Sequence, residues 1–454
     1  MWRLTWPQML MMYLFFLSGL ITIWVAGRLG SDVQAALGLV TQCIMFLMVV
    51  IMSISSGATA AISQSLGMGK TRRASLYIST MVYGSVGLGI LTGLPAWLCG
   101  APILELVQMP ERLMDIGREM WNLSLLGLPL QYVFSATGVL FRSTRQVLPP
   151  LYVAALVCLC NFLGAMGFGL GWFGLPAFGY KGLICANVIT QGIGAAANCF
   201  LLQRSGYFRL STIPSRKWLK KALPYLLKVA LPAGAAQIVW QSGYLTLFVL
   251  VASLPTDSVN ALAGLTAGLR AEALIFMPAM AFNMTCSVLV GNSLGEGKPG
   301  QARKVGLQLT AVATLGMSFF AACLCPFRDL MAHFLSNDPA TQMQIVNYLS
   351  YNLLGTPFSI ASQVMGGIMV GAGATRYNLI VYGGTFWAVR IPLGWLLGHI
   401  IWGTASGIFA AMVMSQIIQS SIMLYVVLYR DWPAYAMKRV TQNNRQTTRR
   451  RYDS

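Results

Sequence analysis

Charge is what this 454-residue chain has least of: Asp, Glu, Lys and Arg together make up 9% of it, where a soluble globular protein carries about 25%. That scarcity excludes an ordinary water-facing surface. Acids are scarcest, 12 against 31 basic residues, and histidine is nearly missing, with His333 and His399 the two present. A histidine-built metal centre or catalytic base therefore has little material. The nine cysteines lie almost entirely in apolar stretches. The Cys158/Cys160 and Cys323/Cys325 pairs lack zinc-ligand spacing, so these residues read as small buried hydrophobes. No nucleophile stands beside a base and no metal cluster is visible, so the chain reads as a non-enzyme without cofactor or metal. A cleavable signal peptide is not expected either, because the first apolar stretch is too long and lacks a small-residue cleavage pattern.

Apolar sequence fills the space that charge leaves. Residues AVILMFWYC make up 56% of the chain, and the mean hydropathy is +0.65. Apolar runs of roughly 20 residues read as membrane-spanning helices. Twelve are found, over 6–29, 34–66, 75–99, 113–141, 147–172, 182–202, 228–252, 259–294, 305–326, 340–370, 378–401 and 405–429. Pro129, Pro149, Pro150, Pro278, Pro357 and Pro392 fall within these spans and predict kinks or hinges.

The chain is also written twice. Ser65-Leu66-Gly67-Met68-Gly69-Lys70 returns 228 positions on as Ser293-Leu294-Gly295-Glu296-Gly297-Lys298, and Ala74 recurs as Ala302. Repeated halves in a membrane protein point to a transporter that handles its ligand between them. The expected fold class is an all-α polytopic membrane protein with twelve transmembrane helices in two pseudo-symmetric six-helix bundles. Its predicted parts are a first lobe over 1–204, an amphipathic linker over 205–225, a second lobe over 226–430 and a basic tail over 431–454.

Most basic residues fall in alternate short loops, among them Lys70, Arg72, Arg73, Arg142, Arg145, Arg204, Lys298, Arg303, Lys304, Arg376 and Arg430. The positive-inside rule then puts both termini in the cytoplasm and makes the repeat parallel. The expected location is the inner (plasma) membrane, multi-pass. The net charge of +19 is spread over these loops with no soluble domain to concentrate it, which argues against a nucleic-acid partner. The linker mixes Arg209, Arg216, Lys217, Lys220 and Lys221 with Phe208, Ile213, Trp218 and Leu219, a composition suited to anionic lipid or to a plain solvated loop.

One acid stands apart from the outer loops and the cytoplasmic ends: Glu272, well inside the eighth span. A charge at mid-bilayer costs about 2.5–3.5 kcal/mol on insertion scales, so it should face a cavity or a partner. Arg270 is two residues away on the same helix and points elsewhere; Arg390 on the eleventh span is the better expected partner. Glu272 and Arg390 are the ion-coupling candidates. Glu272 either takes and releases a coupling ion, or is locked to Arg390 and pins two helices. Thr22 and Trp24 on the first span, Trp240, Gln241 and Tyr244 on the seventh and Gln363 on the tenth are candidate cavity-lining residues. Ring faces attract cations and stack on flat ligands; ordinary packing in the bundle is the plainer alternative for any one of them.

The paired loops, Gly371-Ala372-Gly373-Ala374-Thr375-Arg376 after the tenth span, Gly27-Arg28-Leu29-Gly30 after the first, Ser63-Gln64, Asn161, Phe276-Met277-Pro278 and Arg390-Ile391-Pro392 together resemble the multidrug and toxic compound extrusion (MATE) family. The resemblance runs from about Trp6 to Tyr429. It implies two six-helix bundles in a V around a central cavity, and proton- or sodium-driven antiport of bulky, often cationic aromatic compounds. It adds Asn161 to the cavity candidates. The chain departs from the family where it carries acids: Thr22, Ala165 and Ala374 occupy three such positions, and the seventh-span glutamate near Trp240–Gln241 is missing. The function expected is a cation-coupled exporter of cationic or neutral aromatic compounds that works by alternating access, as a monomer with a small-molecule substrate and membrane lipid as partners. A lipid-linked or polysaccharide flippase of related fold, or a non-transporting receptor or scaffold, is the alternative.

Overall fold

The computed structural model describes residues 2–106, 109–209, 211–255, 257–336 and 338–437; the basic tail beyond residue 437 lies outside them. Sixteen α-helices run along the described chain: α1 (Trp2–Leu29), α2 (Ser31–Gly67), α3 (Thr71–Leu98), α4 (Gly100–Leu106), α5 (Glu111–Leu126), α6 (Leu128–Ser143), α7 (Leu148–Gly164), α8 (Gly179–Arg204), α9 (Arg216–Ala252), α10 (Ser258–Gly295), α11 (Pro299–Leu324), α12 (Arg328–Leu335), α13 (Pro339–Ala372), α14 (Thr375–Gly384), α15 (Ile391–Trp395) and α16 (Ala405–Tyr429). No strand occurs among the described residues. Eleven helices are long and apolar enough to cross a membrane, and the α5–α6 pair, bent by 51°, makes a twelfth broken span. The fold is an all-helical membrane protein, as the apolar runs predict.

The repeated loop motif is a helix stop. At the end of α2, Gly69 takes φ +71, its N–H bonds the Leu66 carbonyl at 2.9 Å and the Lys70 N–H reaches the Ser65 carbonyl at 2.9 Å. At the end of α10, Gly297 takes φ +77, with matching bonds to Leu294 at 2.9 Å and Ser293 at 3.0 Å. The left-handed turn suits glycine because it has no Cβ, and it satisfies carbonyls that the ending helix leaves bare.

The prolines divide into two groups. Pro129, Pro149 and Pro150 sit in the first turns of α6 and α7, where a missing N–H costs nothing; they start helices and do not kink them. Pro278 and Pro357 lie inside α10 and α13. Pro392 falls in α15, between π-helical turns at Thr385–Arg390 and Leu396–Ile401. A proline ring that blocks the usual i−4 bond suits such wide turns.

Within the second lobe, α10 and α13 make the closest large packing. Gly264 and Gly268, spaced like a small-xxx-small stripe, leave no room for a side chain: a Cβ would lie 2.6 Å from Gln344 Cβ and 2.2 Å from the Tyr348 ring, respectively. Between lipid-facing helices no hydrophobic force draws apolar faces together, so such close approach supplies the association.

The two lobes meet where α2 and α10 end. A Cβ on Gly67 would lie 2.1 Å from the Asn292 carbonyl oxygen, and one on Gly295 would lie 2.2 Å from the Gln64 carbonyl oxygen. Gln64 and Asn292 are themselves 228 positions apart, so each copy does to the other what the other does to it. That reciprocity is the mark of a two-fold relation. Because both helices arrive at this seam by their C-terminal ends, the copies run parallel. The start of α1 is there too: Thr5 and Gln8 bond Thr285 at 3.2 and 3.0 Å. So is the segment after α16, where the Met437 N–H bonds Gln64. Both described ends of the chain thus share one face, called the near face below.

Candidate functional site

Glu272 projects from α10 into the second lobe. Its Oε2 accepts the Tyr348 hydroxyl at 2.6 Å, and that hydroxyl accepts the Asn352 side-chain amide at 3.2 Å. Tyr348 and Asn352 are one turn apart on α13, and Gly268, one turn from Glu272, makes the space for the Tyr348 ring. The Phe409 ring packs edge-on against Tyr348 at 5.2 Å. A hydroxyl and an amide donor suit either a carboxylate or its protonated form. Tyr348 and Asn352 were not among the sequence candidates; their spacing of four on the tenth span is the signal that could have found them.

The expected pairing of Glu272 with Arg390 is absent. The ion pairs among the described residues are Arg112–Asp32, Lys181–Glu119 and Lys298–Glu296, all at exposed sites. Arg390 is 2% exposed and directs its hydrogen bond to another helix. Its Nε donates to Ser415 Oγ at 2.7 Å, and its guanidinium lies 4.5 Å over the Phe386 ring and 6.0 Å from the Trp240 ring. Nη1 has no hydrogen-bond partner among the described residues. The π-helical turn that ends at Arg390 sets this direction, and cation–π attraction to two rings competes with the carboxylate.

The aromatic candidates Trp240 and Tyr244 belong to the same neighbourhood. Their rings are 5.3 Å apart, and both contact Phe386, at 5.5 and 5.4 Å. Gly243 lies between them and leaves the gap that Phe386 fills, since a Cβ there would stand 2.5 Å from its ring. Gln241 is half-buried without a polar side-chain partner among the described residues. Gln363 contributes its carbonyl, which accepts the Asn283 side-chain amide at 2.5 Å.

The first lobe holds an uncharged counterpart. Asn161, 1% exposed, donates to Ser18 Oγ at 2.8 Å and to Thr22 Oγ1 at 3.4 Å, while its Oδ1 has no partner. Thr22 and Asn161, far apart in sequence, are therefore neighbours. Trp24 stands apart from them, exposed, edge-on to Trp172 at 6.3 Å with the Arg28 guanidinium 5.0 Å over its ring.

Between the lobes, the Tyr13 hydroxyl of α1 bonds the Leu274 carbonyl of α10 at 3.0 Å. Away from the near face, one turn beyond that contact, an open cleft of ≈ 420 Å³ is lined by the second lobe alone, by Val259, Thr266 and Arg270 of α10 and Leu335 of α12. Arg270 is exposed there and paired with no carboxylate among the described residues. No group of His, Cys, Asp and Glu able to hold a metal occurs among the described residues.

Comparison with known proteins gives a consistent picture. The MatE family model matches residues 7–166 and 232–396, one match in each copy of the repeat, with starts 225 positions apart. Protein DETOXIFICATION 39 of Arabidopsis thaliana is 24% identical over 439 residues, covering 95% of this chain and 84% of that protein. The probable multidrug resistance protein NorM of Thermotoga maritima is 23% identical over 447 residues, covering 96% and 93%. Among solved structures, the Vibrio cholerae MATE transporter VcmN in its bent form aligns with TM-score 0.86 and 19% identity over 96% of this chain and 98% of that one.

Proposed function

The chain belongs to the MatE family of multi-pass membrane transporters, and on that premise we propose that it is a proton- or sodium-coupled antiporter for bulky compounds, with Glu272 the group that carries the coupling ion. The observation that carries this reading is the setting of Glu272: a carboxylate inside a membrane span, held by the neutral donor Tyr348 at 2.6 Å and in no ion pair with Arg390 among the described residues. A permanently ion-paired acid would have no reason to change its occupancy during a cycle; a hydrogen-bonded one does. The first-lobe cluster of Ser18, Thr22 and Asn161 contains no ionisable group, so coupling in this chain rests on the second lobe.

The substrates proposed are aromatic and neutral or cationic, received against Trp240, Tyr244 and Phe386 when the lobes part. Each ring face contributes about 0.5–2 kcal/mol toward a cation, depending on desolvation. The protein acts as a monomer in the inner (plasma) membrane, with both termini in the cytoplasm and the near face therefore the cytoplasmic one. Its motion opens the space between the lobes to one side of the membrane and then to the other. A lipid-linked flippase, the second reading, would draw on Arg270 in the cleft, but a single guanidinium is a weak grip on a diphosphate headgroup.

The test is efflux of dyes of both charges from proteoliposomes under separately imposed proton and sodium gradients, with the native chain and with Glu272→Gln. Gradient-driven efflux that the substitution abolishes is the expected result. Efflux with the same gradient dependence in both proteins would remove Glu272 from the coupling role. Preferential export of carboxylated or phosphorylated compounds would overturn the substrate class.

A further inference from the structure

Gln64 is fully buried, at 0% exposure, near the end of α2, and its one side-chain amide ties down three other stretches of the chain. Its Nε2 donates to the Gly371 carbonyl at 2.8 Å, at the end of α13 in the opposite lobe. Its Oε1 accepts the Tyr225 hydroxyl at 3.2 Å and the Met437 backbone N–H at 2.8 Å. Both lone pairs and one donor of the amide are thus in use across segment boundaries.

Met437 reaches Gln64 at the end of a short strap that leaves α16. Trp432, at 0% exposure, anchors the strap, its indole N–H bonding the Val427 carbonyl at 3.0 Å. Tyr435 follows, edge-on to Tyr377 at 5.8 Å with Lys228 Nζ 5.3 Å from its ring. Trp432, Tyr435 and Ala436 pack into the core of the second lobe, while Met437 packs against the core of the first and its sulfur lies 2.9 Å from Arg73 Nη2. Six residues beyond the last span therefore bridge the lobes at the seam.

The repeat shows that this is not a general property of the position. The partner of Gln64 by the repeat is Asn292, one methylene shorter. Its amide donates to the Val288 carbonyl of its own helix at 2.8 Å and, among the described residues, makes no hydrogen bond across the seam. The two-fold relation that governs the glycine contacts breaks at this pair, and it breaks where the strap arrives.

We propose that Gln64 and the strap 432–437 form a latch that sets how much of the protein has its near face closed, and that the Met437 amide must leave Gln64 before that face opens. Gln64 is in this sense a positioning residue: it touches neither substrate nor coupling ion. The inference rests on the alternating-access reading given above.

The experiment measures the distance between spin labels at Arg72→Cys and Lys304→Cys, two exposed positions on either side of the near face, with the exposed Cys99, Cys185 and Cys323 replaced by serine. Four changes are compared: Gln64→Leu, Gln64→Asn, Met437→Pro, and the chain ended after Arg430. Met437→Pro removes the N–H together with the thioether that touches Arg73, so Met437→Ala, which loses the thioether and keeps the N–H, is its reference; Ala436, at φ −61 and ψ 156, already has the extended backbone that a following proline requires. A chain ended after Met437 keeps the strap and is the control.

All four changes should raise the ratio of long to short distances, by about tenfold for Gln64→Leu, while the control matches the full chain. Gln64→Leu or Met437→Pro with the native distribution, in a protein whose native form interconverts when substrate or gradient is applied, would overturn the latch. A native chain that holds one distance under every substrate and gradient condition would instead overturn alternating access itself.

Discussion

Adding a single methyl group at the seam should open it. In Gly67→Ala the new Cβ would stand 2.1 Å from the Asn292 carbonyl oxygen and 3.0 Å from Gly295 Cα. Carbon and oxygen do not approach closer than about 3.3 Å without repulsion, so α2 and α10 must separate by roughly 1 Å in the closed arrangement. Both partner atoms are backbone, and no side chain can rotate away to absorb the shift. Overpacking of this kind costs about 1–3 kcal/mol. That cost falls only on the closed state, so the ratio of open to closed molecules should rise by about 5–150-fold. The spin-label pair at Arg72→Cys and Lys304→Cys reads the open population directly, as the ratio of long to short distances. Gly295→Ala should act in the same way, through the Gln64 carbonyl at 2.2 Å. Because one separation relieves both clashes, the double substitution should fall short of additivity. Gly38→Ala on the same helix has nothing within 4 Å of the new atom; it should leave the distance ratio unchanged and stabilise the helix by up to about 1 kcal/mol. A native distance ratio in Gly67→Ala would refute the argument.

Two further outcomes are expected. Gly268→Ala places a Cβ 2.2 Å from the Tyr348 ring, which moves the ring off Glu272; ion-coupled efflux should then fall as far as in Tyr348→Phe, with the combined variant no worse than either, and additive losses would separate the two residues. At the start of α13, Asp338 caps the helix, its Oδ2 accepting the Thr341 N–H at 2.9 Å and hydroxyl at 2.7 Å, and these bonds hold its pKa below the usual carboxylate range. A depressed folded-state pKa means that the cap's contribution is present above the unfolded-state value, near pH 4, and is lost as pH falls through the folded one. Protection factors for hydrogen exchange at residues 341–344, with the intrinsic pH dependence divided out, should therefore fall in acid in the native chain and be low at all pH values in Asp338→Ala; a flat native protection profile would refute the capping role.

The spans were legible because membrane helices announce themselves by composition, and the twelve apolar runs reappear with boundaries shifted by a few residues. α9 is the largest departure, starting at Arg216, twelve residues before its apolar run, because Ser215 caps it by accepting the Trp218 N–H at 3.3 Å and basic residues tolerate helix well. The prolines at 129, 149 and 150 misled because proximity to a span does not say whether a residue falls in its first turn. Glu272 was legible as the acid set well inside a span, away from the outer and cytoplasmic ends. Its partner was not: opposite charges on two spans of one lobe suggested a pair, but the π-helical turn before Pro392 rotates Arg390 toward Ser415 and the Phe386 ring. Such local winding leaves no mark in a hydrophobic pattern. The repeat predicted matched loops, and they are matched, but the same symmetry concealed the difference in reach between glutamine and asparagine at positions 64 and 292.

The seam differs in chemistry from the lobes it joins, and that difference is what lets it part. Inside each lobe the helices meet through Ala, Gly, Leu, Ile and aromatic side chains, and separating those would expose apolar surface to water at about 25 cal/mol per Å². Between the lobes, beside the apolar contact that Leu226 of α9 makes with the first lobe, the buried polar groups are Thr5, Gln8, Ser63, Gln64, Thr285 and Asn292, together with backbone carbonyls. When the near face opens, each of these groups exchanges a partner in the protein for water. The net loss per hydrogen bond is about 0.5–1.5 kcal/mol, far less than the 4–6 kcal/mol such a bond is worth in an apolar medium. A seam with a handful of such bonds, and glycine contacts that add dispersion without large apolar area, can therefore be opened by a few kcal/mol. An ion gradient or a bound substrate supplies energies of that size. Replacing Gln8 and Thr285 together by Leu and Val would remove the two bonds across the seam and add apolar area, and the same argument requires that this variant close more firmly than the native chain and lower the ratio of long to short label distances.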